Sequence, residues 1–287
     1  GFMVDRHGRK MSKSGGNALN VDDLLKDVGA DVCRWWVSGL AFENDIRVDL
    51  ELFHLAGESY RKVRNTIRFL LSNLNDLDAS AEDIKSMWSS APPRSLEAWV
   101  LAEAAALQIE VMQAYEKLEF RKAHLAIFDF CNDTLSAIYC VAVKDRLYCD
   151  RIDSERRRLS QATLHRLAEM LCRLTAPILA HTADEAWRAL HGEDACVHLE
   201  SIQPLQVSVD PDWPKVMEAR ESILKSLEEV REAGKDGVEK SLDAGIVIPD
   251  PDGHLEPFAE ALESMCEVSR LTCQKDQGEI QVQDLRS

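Results

Sequence analysis

Apolar side chains recur at steps of three and four residues through most of residues 50–190. One stretch spaces Tyr60, Val63, Ile67, Leu70, Leu74 and Leu77 in this way, and another spaces Leu125, Phe128, Cys131, Leu135, Ile138 and Ala142. An α-helix places such positions on one face, where they can pack against a neighbour. We therefore predict helices over 50–77, 95–118, 121–147, 154–176 and 181–190. With short connections between them, they indicate an antiparallel bundle.

The segments on either side of the bundle have a different character. Short helices are predicted over 21–27 and 30–40, and a polar stretch with Pro92-Pro93 reads as a linker. Beyond Pro204, a helix over 214–233 is followed by three short strand-like runs, SLDAGIVIP, LTCQ and EIQVQ. The predicted fold is mainly α, with a small C-terminal α+β appendage. The predicted domains are 1–50, 51–200 and 201–287.

Acidic residues outnumber basic ones by 50 to 34, which gives a net charge of −16. Because phosphate contacts require lysine and arginine, this balance argues against a uniformly basic nucleic-acid binder. The charge is segregated, however: residues 210–287 contain 9 basic and 19 acidic side chains, whereas residues 1–16 form a basic island. No apolar run approaches the roughly 20 residues that span a bilayer, so we expect no membrane partner.

The eight cysteines show neither C-x-x-C pairs nor the spacing of a zinc ribbon. His124, His165 and His181 do not have metal-ligand spacing either, so we expect structural roles for them and predict no metal site. Most cysteines stand among apolar neighbours, as thiols of a reducing compartment do. We therefore expect a cytoplasmic protein.

The sharpest chemical motif is Lys10-Met11-Ser12-Lys13-Ser14 (KMSKS), followed by Gly15-Gly16-Asn17. Two ammonium groups three residues apart can neutralise the charge of a polyphosphate, and the hydroxyls can donate hydrogen bonds to its oxygens. Glycines let the backbone approach such a ligand closely. On composition alone, a solvated basic loop is an equal alternative.

KMSKS within GFMVDRHGRKMSKSGGN resembles the second signature of class I aminoacyl-tRNA synthetases, in their isoleucine, valine and leucine branch. Five later segments resemble isoleucyl-tRNA synthetases in the same order: GADVCRWWVSGLAFENDIRV, SYRKVRNTIRFLLSNL, FCNDTLSAIYCVAVKDRLYCD, SERRRLSQATLHRLAEMLCRLTAPILAHTADEAW and REAGKDGVEKSLDA. Gly15 departs from the family, which commonly has leucine there, and should make the loop more mobile. Valyl- and leucyl-type enzymes are the nearest alternatives.

The resemblance implies a ligase that activates isoleucine with ATP and Mg²⁺ and then charges tRNA(Ile). It assigns ATP binding to Lys10, Met11, Ser12, Lys13 and Ser14, with Lys13 and Lys10 as the catalytic residues. It makes the helical bundle an anticodon-binding domain. Because the chain begins at the last catalytic element of the family, we expect a piece of a longer enzyme that is inactive when isolated. We also expect a monomer.

A second basic feature lies in the first long helix. Residues 60–71 contain Arg61, Lys62, Arg64 and Arg68 without an acid, and the three arginines share one helix face. We call Arg61, Arg64 and Arg68 the arginine row and predict that it contacts tRNA. The alternatives are a solvated face that keeps the bundle soluble and, for the whole chain, a free-standing tRNA-binding module without catalysis.

Overall fold

The computed structural model describes residues 1–12, 14, 17–232, 238 and 240–286. The chain divides into two compact units. The first comprises Gly1–Asp76, Ala104–Asp133 and Leu164–Leu205, and the second comprises Leu77–Glu103, Thr134–Thr163 and Gln206–Ser287.

Helices make up most of both units. Their bounds are α1 (Val21–Val28), α2 (Ala30–Ser38), α3 (Leu50–Ser72), α4 (Ala81–Ser89), α5 (Leu96–Glu116), α6 (Phe120–Asp129), α7 (Cys140–Ala142), α8 (Lys144–Cys149), α9 (Glu155–Thr175), α10 (Ala180–His191), α11 (Trp213–Glu232) and α12 (Ala259–Cys266). The predicted fold class, mainly helical with a small α+β part near the C-terminus, is confirmed. The proposed domain boundaries stay predictions.

Two small sheets complete the fold. In the first unit β1 (Met3–Val4) pairs in parallel with β2 (Ile46–Arg47). The second unit holds β3 (Ala244–Pro249), β4 (Arg270–Gln274) and β5 (Gln281–Asp284), in the order β4-β3-β5. Strand β3 is parallel to β4 and antiparallel to β5. The three strand-like runs predicted near the C-terminus therefore form one sheet.

The single helix predicted over 121–147 is interrupted. After α6 the chain continues as a π-helix over Phe130–Tyr139, and α7 and α8 follow as separate short helices. A π-turn contains more residues than an α-turn, so it rotates the side chains that follow it around the axis. The predicted apolar stripe was wrong at its start, because Leu125 is exposed while Ala123 and Ile127 are buried.

Helix α4 occupies part of the stretch that we predicted to be a linker. Ser80 accepts a hydrogen bond from the backbone N–H of Asp83, whose carboxylate accepts one from the backbone N–H of Ser80 in return. This capping box satisfies two backbone donors at the start of the helix. Only Ile84 of α4 is buried, so the helix depends on its cap more than on an apolar stripe.

One helical stretch of the described residues, Phe120–Ala142, is long and apolar enough to cross a membrane by length and composition alone. Its most apolar window is 39% buried inside the protein. Such a test is weak evidence for a membrane span, because core helices of soluble proteins also pass it. Ile127, Cys131 and Leu135 of this stretch are completely buried.

Polar contacts in the first unit hold α3 in place. The buried carboxylate of Asp31 in α2 accepts hydrogen bonds from the backbone N–H (2.6 Å) and the hydroxyl (2.7 Å) of Thr182, at the start of α10. The hydroxyl of Tyr60 in α3 lies 2.8 Å from the same threonine Oγ1. Around these contacts Trp35 and Trp36 are buried, as predicted, so α2, α3 and α10 share one packed region.

His124 makes the stability of the first unit depend on pH. Its ring stacks on Trp35 with centroids 3.7 Å apart, and its Nδ1 lies 2.9 Å from the hydroxyl of Ser38. Burial lowers the pKa of His124 from 6.5 to about 4. Between these two values the unfolded chain binds more protons than the folded chain, so the free energy of unfolding should fall as the pH drops from about 6.5 to about 4.

We expect His124→Gln to reduce the fall in the free energy of unfolding at low pH, because glutamine does not become charged. Urea unfolding at pH 7 and pH 4 should show a loss for the unchanged chain that exceeds the loss for the variant. The partial exposure of the ring limits the difference to about 1 kcal/mol. Equal losses in the two proteins would show that His124 does not carry this dependence.

Candidate functional site

The KMSKS loop, residues 5–17, begins with a tight turn after β1. The backbone N–H of Asp5 donates to the carbonyl of Arg9 (2.8 Å), and the N–H of Gly8 donates to the carbonyl of Asp5 (2.9 Å). Gly8 has φ +79°, a conformation that residues with a Cβ rarely adopt. A bridge between Val4 and Lys10 closes the turn and fixes where the KMSKS motif begins.

Asp5 is the hydrogen-bonding centre of this loop. Its carboxylate accepts from the backbone N–H of His7 and Arg9, both at 2.9 Å, and from the Arg9 guanidinium at 2.9 Å. It also accepts from the side-chain amide of Asn17 at 3.0 Å. The hydrogen bond from Asn17 is the largest of the causes that hold the pKa of Asp5 well below its usual range. The acid therefore remains ionised inside a basic segment.

Asn17 reaches across the loop to the motif itself. Its Oδ1 accepts a hydrogen bond from the backbone N–H of Ser12 at 3.0 Å, and its Nδ2 donates to the carbonyl of Lys10 at 3.3 Å. Between them, the side chain of Met11 packs against the core cluster of Trp36, Val48 and Phe53. The start of the KMSKS motif is therefore held by one amide and one apolar anchor.

Lys10 leaves its charge available for a ligand. The side chain is exposed, and its ammonium lies 5.7 Å from the centre of the Phe2 ring. It forms no ion pair within the part of the chain that the structure describes. Ser12 and Ser14 are also exposed. Lys13, the predicted catalytic lysine, lies outside the described residues, as do Gly15 and Gly16.

The arginine row lies on α3 as its spacing predicted. Arg61, Arg64 and Arg68 are all exposed, whereas Val63 and Ile67 of the same helix are buried. None of the three arginines forms an ion pair with another residue in the described ranges. Lys62 faces elsewhere: its ammonium donates to the Asn132 side chain at 3.1 Å. Three exposed guanidinium groups on one face suit a polyanionic backbone.

A cleft of about 540 Å³ borders the arginine row within the first unit. Arg61 and Arg64 line it together with His181 and Glu185 from α10. Asp31, Tyr60 and Thr182, which are connected by hydrogen bonds through Thr182, also line the cleft. Two of the three arginines of the row therefore line an open cleft, and Glu185 makes its α10 side partly acidic.

Another run of positive charge, Arg156-Arg157-Arg158, lies in the second unit, and its first two arginines bind residues of that unit. Arg156 binds both carboxylate oxygens of Asp150, at 2.6 and 2.8 Å. Arg157 is buried and donates to the carbonyl of Leu147 at 3.0 Å. These contacts give Arg156 and Arg157 structural roles and do not favour the run as an RNA surface.

No group of three or more His, Cys, Asp or Glu side chains within the described ranges is arranged to hold a metal ion. The three histidines for which we expected structural roles lie apart in the fold. The His124 ring stacks on Trp35 and the His165 ring faces His191, whereas His181 is exposed beside the cleft.

Two segments of the chain match known protein families. Residues 97–248, more than half of the chain, match the family described as the anticodon-binding domain of tRNA ligase. The chain belongs to this family. The first 49 residues, which contain the KMSKS loop, match the class I tRNA synthetases for isoleucine, leucine, methionine and valine. The α3 helix with the arginine row lies between the two matched segments.

Curated relatives extend over nearly the whole sequence. The chain is 36% identical over 275 residues to an isoleucine–tRNA ligase of Desulfitobacterium hafniense, covering 93% of this chain and 29% of that protein. It is 38% identical over 257 residues to the isoleucine–tRNA ligase of Carboxydothermus hydrogenoformans, covering 86% of this chain and 27% of that protein. The chain thus spans less than a third of the length of these relatives.

A solved structure also resembles the fold. The leucyl-tRNA synthetase of Agrobacterium radiobacter K84, crystallised in a ternary complex with tRNA and LeuAMS, aligns with a TM-score of 0.50 and 21% sequence identity. The alignment covers 72% of this chain and 24% of that protein. At this identity the likeness supports the fold alone.

Proposed function

We propose that the chain is the part of an isoleucine–tRNA ligase that supplies the KMSKS loop and the anticodon-binding bundle. One observation carries the proposal: a single chain joins a KMSKS motif, within a class I synthetase match, to an anticodon-binding domain. A module that only binds RNA has no use for a lysine pair suited to pyrophosphate. The names of the curated relatives favour isoleucine as the amino acid.

In the proposed reaction, the isoleucine carboxylate attacks the α-phosphorus of ATP, which is bound as its Mg²⁺ complex, and pyrophosphate leaves. The terminal ribose of tRNA(Ile) then attacks the adenylate and releases AMP. Lys10 and Lys13 would neutralise the charge that builds up on the leaving pyrophosphate. The hydroxyls of Ser12 and Ser14 would donate to its oxygens.

The amino acid can be tested by ATP–pyrophosphate exchange with the full-length protein that contains this chain. The proposal expects exchange that is fastest with isoleucine and weaker with valine and leucine. Fastest exchange with valine or leucine would assign the protein to the other branches of the family. Absence of exchange with all three would favour a tRNA-binding module without catalysis.

The tRNA part of the proposal predicts a loss of affinity when the arginine row is removed. The triple variant Arg61→Ala, Arg64→Ala, Arg68→Ala should bind tRNA(Ile) more weakly. If each arginine contacts one phosphate, the dependence of log K on log salt should flatten by about 0.7–0.9 per arginine. Filter binding over a range of salt concentrations measures both quantities.

A matched control removes the same number of positive charges elsewhere in the first unit. Lys26, Lys117 and Arg121 are exposed and lie outside α3, so their replacement by alanine should change the salt dependence much less. If the two triple variants lose affinity equally, only the overall charge matters, and the arginine row is a solvated face.

A further inference from the structure

Asn17 connects the end of the KMSKS loop to the backbone of its motif through side-chain hydrogen bonds. One amide group accepts from the N–H of Ser12 and donates to the carbonyl of Lys10. The same amide donates to the buried carboxylate of Asp5 on the other side of the loop. In the sequence Asn17 follows Gly15-Gly16, which have no side chains that could do this.

We propose that Asn17 is a positioning residue which, anchored on Asp5, sets the backbone of Lys10 and Ser12 for the phosphates of ATP. The inference rests on the proposed function and adds to it a residue outside the five-residue motif. We call the pair Asp5 and Asn17 the clasp. Asn17 touches no reacting atom in this role, because its hydrogen-bonding groups are directed to the backbone and to Asp5.

The chemistry of the clasp requires an amide at residue 17. A carboxylate could still accept from Ser12, but it would place an oxygen where the amide now donates to Asp5, 3.0 Å away. Two carboxylates at that distance repel each other. Three donors would remain on Asp5 in that variant, the backbone N–H groups of His7 and Arg9 and the Arg9 guanidinium; they favour the ionised state of this acid and so maintain the repulsion.

The first experiment measures pyrophosphate exchange by the full-length protein. Displacement of a group that contacts the transition state by about 1 Å can cost about 100-fold in rate. We expect Asn17→Ala and Asn17→Asp to lower kcat about 10- to 100-fold, with the KM for isoleucine unchanged. The swapped pair Asp5→Asn with Asn17→Asp restores the hydrogen bond between the two side chains, but it leaves the Lys10 carbonyl without its donor and the Arg9 guanidinium without its acceptor, so it should recover less than about 10-fold over Asn17→Asp alone.

A control variant and a hydrogen-exchange measurement test the role of Asn17 independently of the proposed function. Asn20 caps α1 by accepting from the N–H of Asp22, and Asn20→Ala should leave kcat unchanged. In the chain of residues 1–287, Asn17→Ala should speed hydrogen exchange at the Ser12 amide several-fold, whereas Asn20→Ala should not.

The outcomes are distinct. Full kcat in Asn17→Ala would overturn the positioning role. Unchanged exchange at the Ser12 amide would overturn the clasp itself, whatever the catalytic result. Absence of pyrophosphate exchange by the unchanged protein would overturn the proposed function, and the catalytic role of Asn17 with it, while the Ser12 measurement would still decide whether the clasp exists.

Discussion

Replacing Glu97 by alanine should destabilise the second unit by about 3–5 kcal/mol. The Glu97 side chain is 1% exposed, and its Oε1 lies 3.1 Å from Nη1 of Arg146, which is 10% exposed. The same oxygen accepts a hydrogen bond from the hydroxyl of Ser160 at 2.7 Å. Removal of the carboxylate would leave the largely buried guanidinium without its buried counter-charge, and the exposed Glu260 carboxylate, 3.9 Å away, would offset the desolvation of that cation only weakly.

Arg146 also provides the matched control for this prediction. Its Nη2 lies 3.9 Å from Oε1 of Glu260, whose side chain is 72% exposed. Exposed ion pairs contribute little because water and salt screen them, so Glu260→Ala should cost less than about 1 kcal/mol. Hydrogen exchange at the start of α5 in increasing urea reports both losses. Similar effects of the two substitutions would contradict a special role for the buried pair.

A double variant that removes both charges shows how much of the loss in Glu97→Ala comes from leaving Arg146 unpaired. When both charges are replaced by apolar side chains of similar volume, no buried ion remains to be desolvated. Glu97→Met with Arg146→Met should therefore be more stable than Glu97→Ala by several kcal/mol. This comparison distinguishes the cost of an unpaired charge from the net contribution of the ion pair. A double variant as unstable as Glu97→Ala would indicate that packing, not charge, dominates at this position.

Residue periodicity predicted the helices that have a buried face. Helices α3, α5, α9 and α10 were predicted to within a few residues at most ends, because their apolar stripes are regular and each was long enough to reveal its period. The interruption after α6 was missed, because steps of three and four do not distinguish an α-helix from a π-helical insertion. Helix α4 was missed because it has a capping box but only one buried residue, so its sequence shows almost no apolar periodicity.

The candidate site was predictable where charge or motif marked it. The KMSKS residues and the arginine row were identified from residue type and spacing. Asp5 and Asn17 were not, because a lone acid in a basic segment contributes only one charge to a count, and an asparagine after two glycines is typical of many loops. Their importance lies in hydrogen bonds between residues twelve positions apart. The pairing of β1 with β2, between residues 43 positions apart, was hidden for the same reason.

We expect Lys13→Ala in the full-length protein to lower pyrophosphate exchange about 10²- to 10³-fold while tRNA binding stays nearly constant. Such a loss corresponds to about 3–4 kcal/mol of transition-state stabilisation, the usual cost of removing a group placed where charge develops. The ammonium would contact the leaving pyrophosphate, on which negative charge grows as the bond to the α-phosphorus breaks. A contact that strengthens in the transition state changes kcat, whereas one of constant strength changes only KM.

Two further variants decide whether position or charge carries the effect. Lys26 in α1 is an exposed lysine of the same unit, so Lys26→Ala removes an equal charge and should leave pyrophosphate exchange within about twofold. Lys13→Arg keeps the charge but replaces a compact ammonium by a planar guanidinium, and it should recover only part of the pyrophosphate-exchange rate. Because pyrophosphate exchange requires no tRNA, a normal rate in Lys13→Ala would remove Lys13 from the chemistry, whereas a loss confined to tRNA binding would move it to the RNA surface.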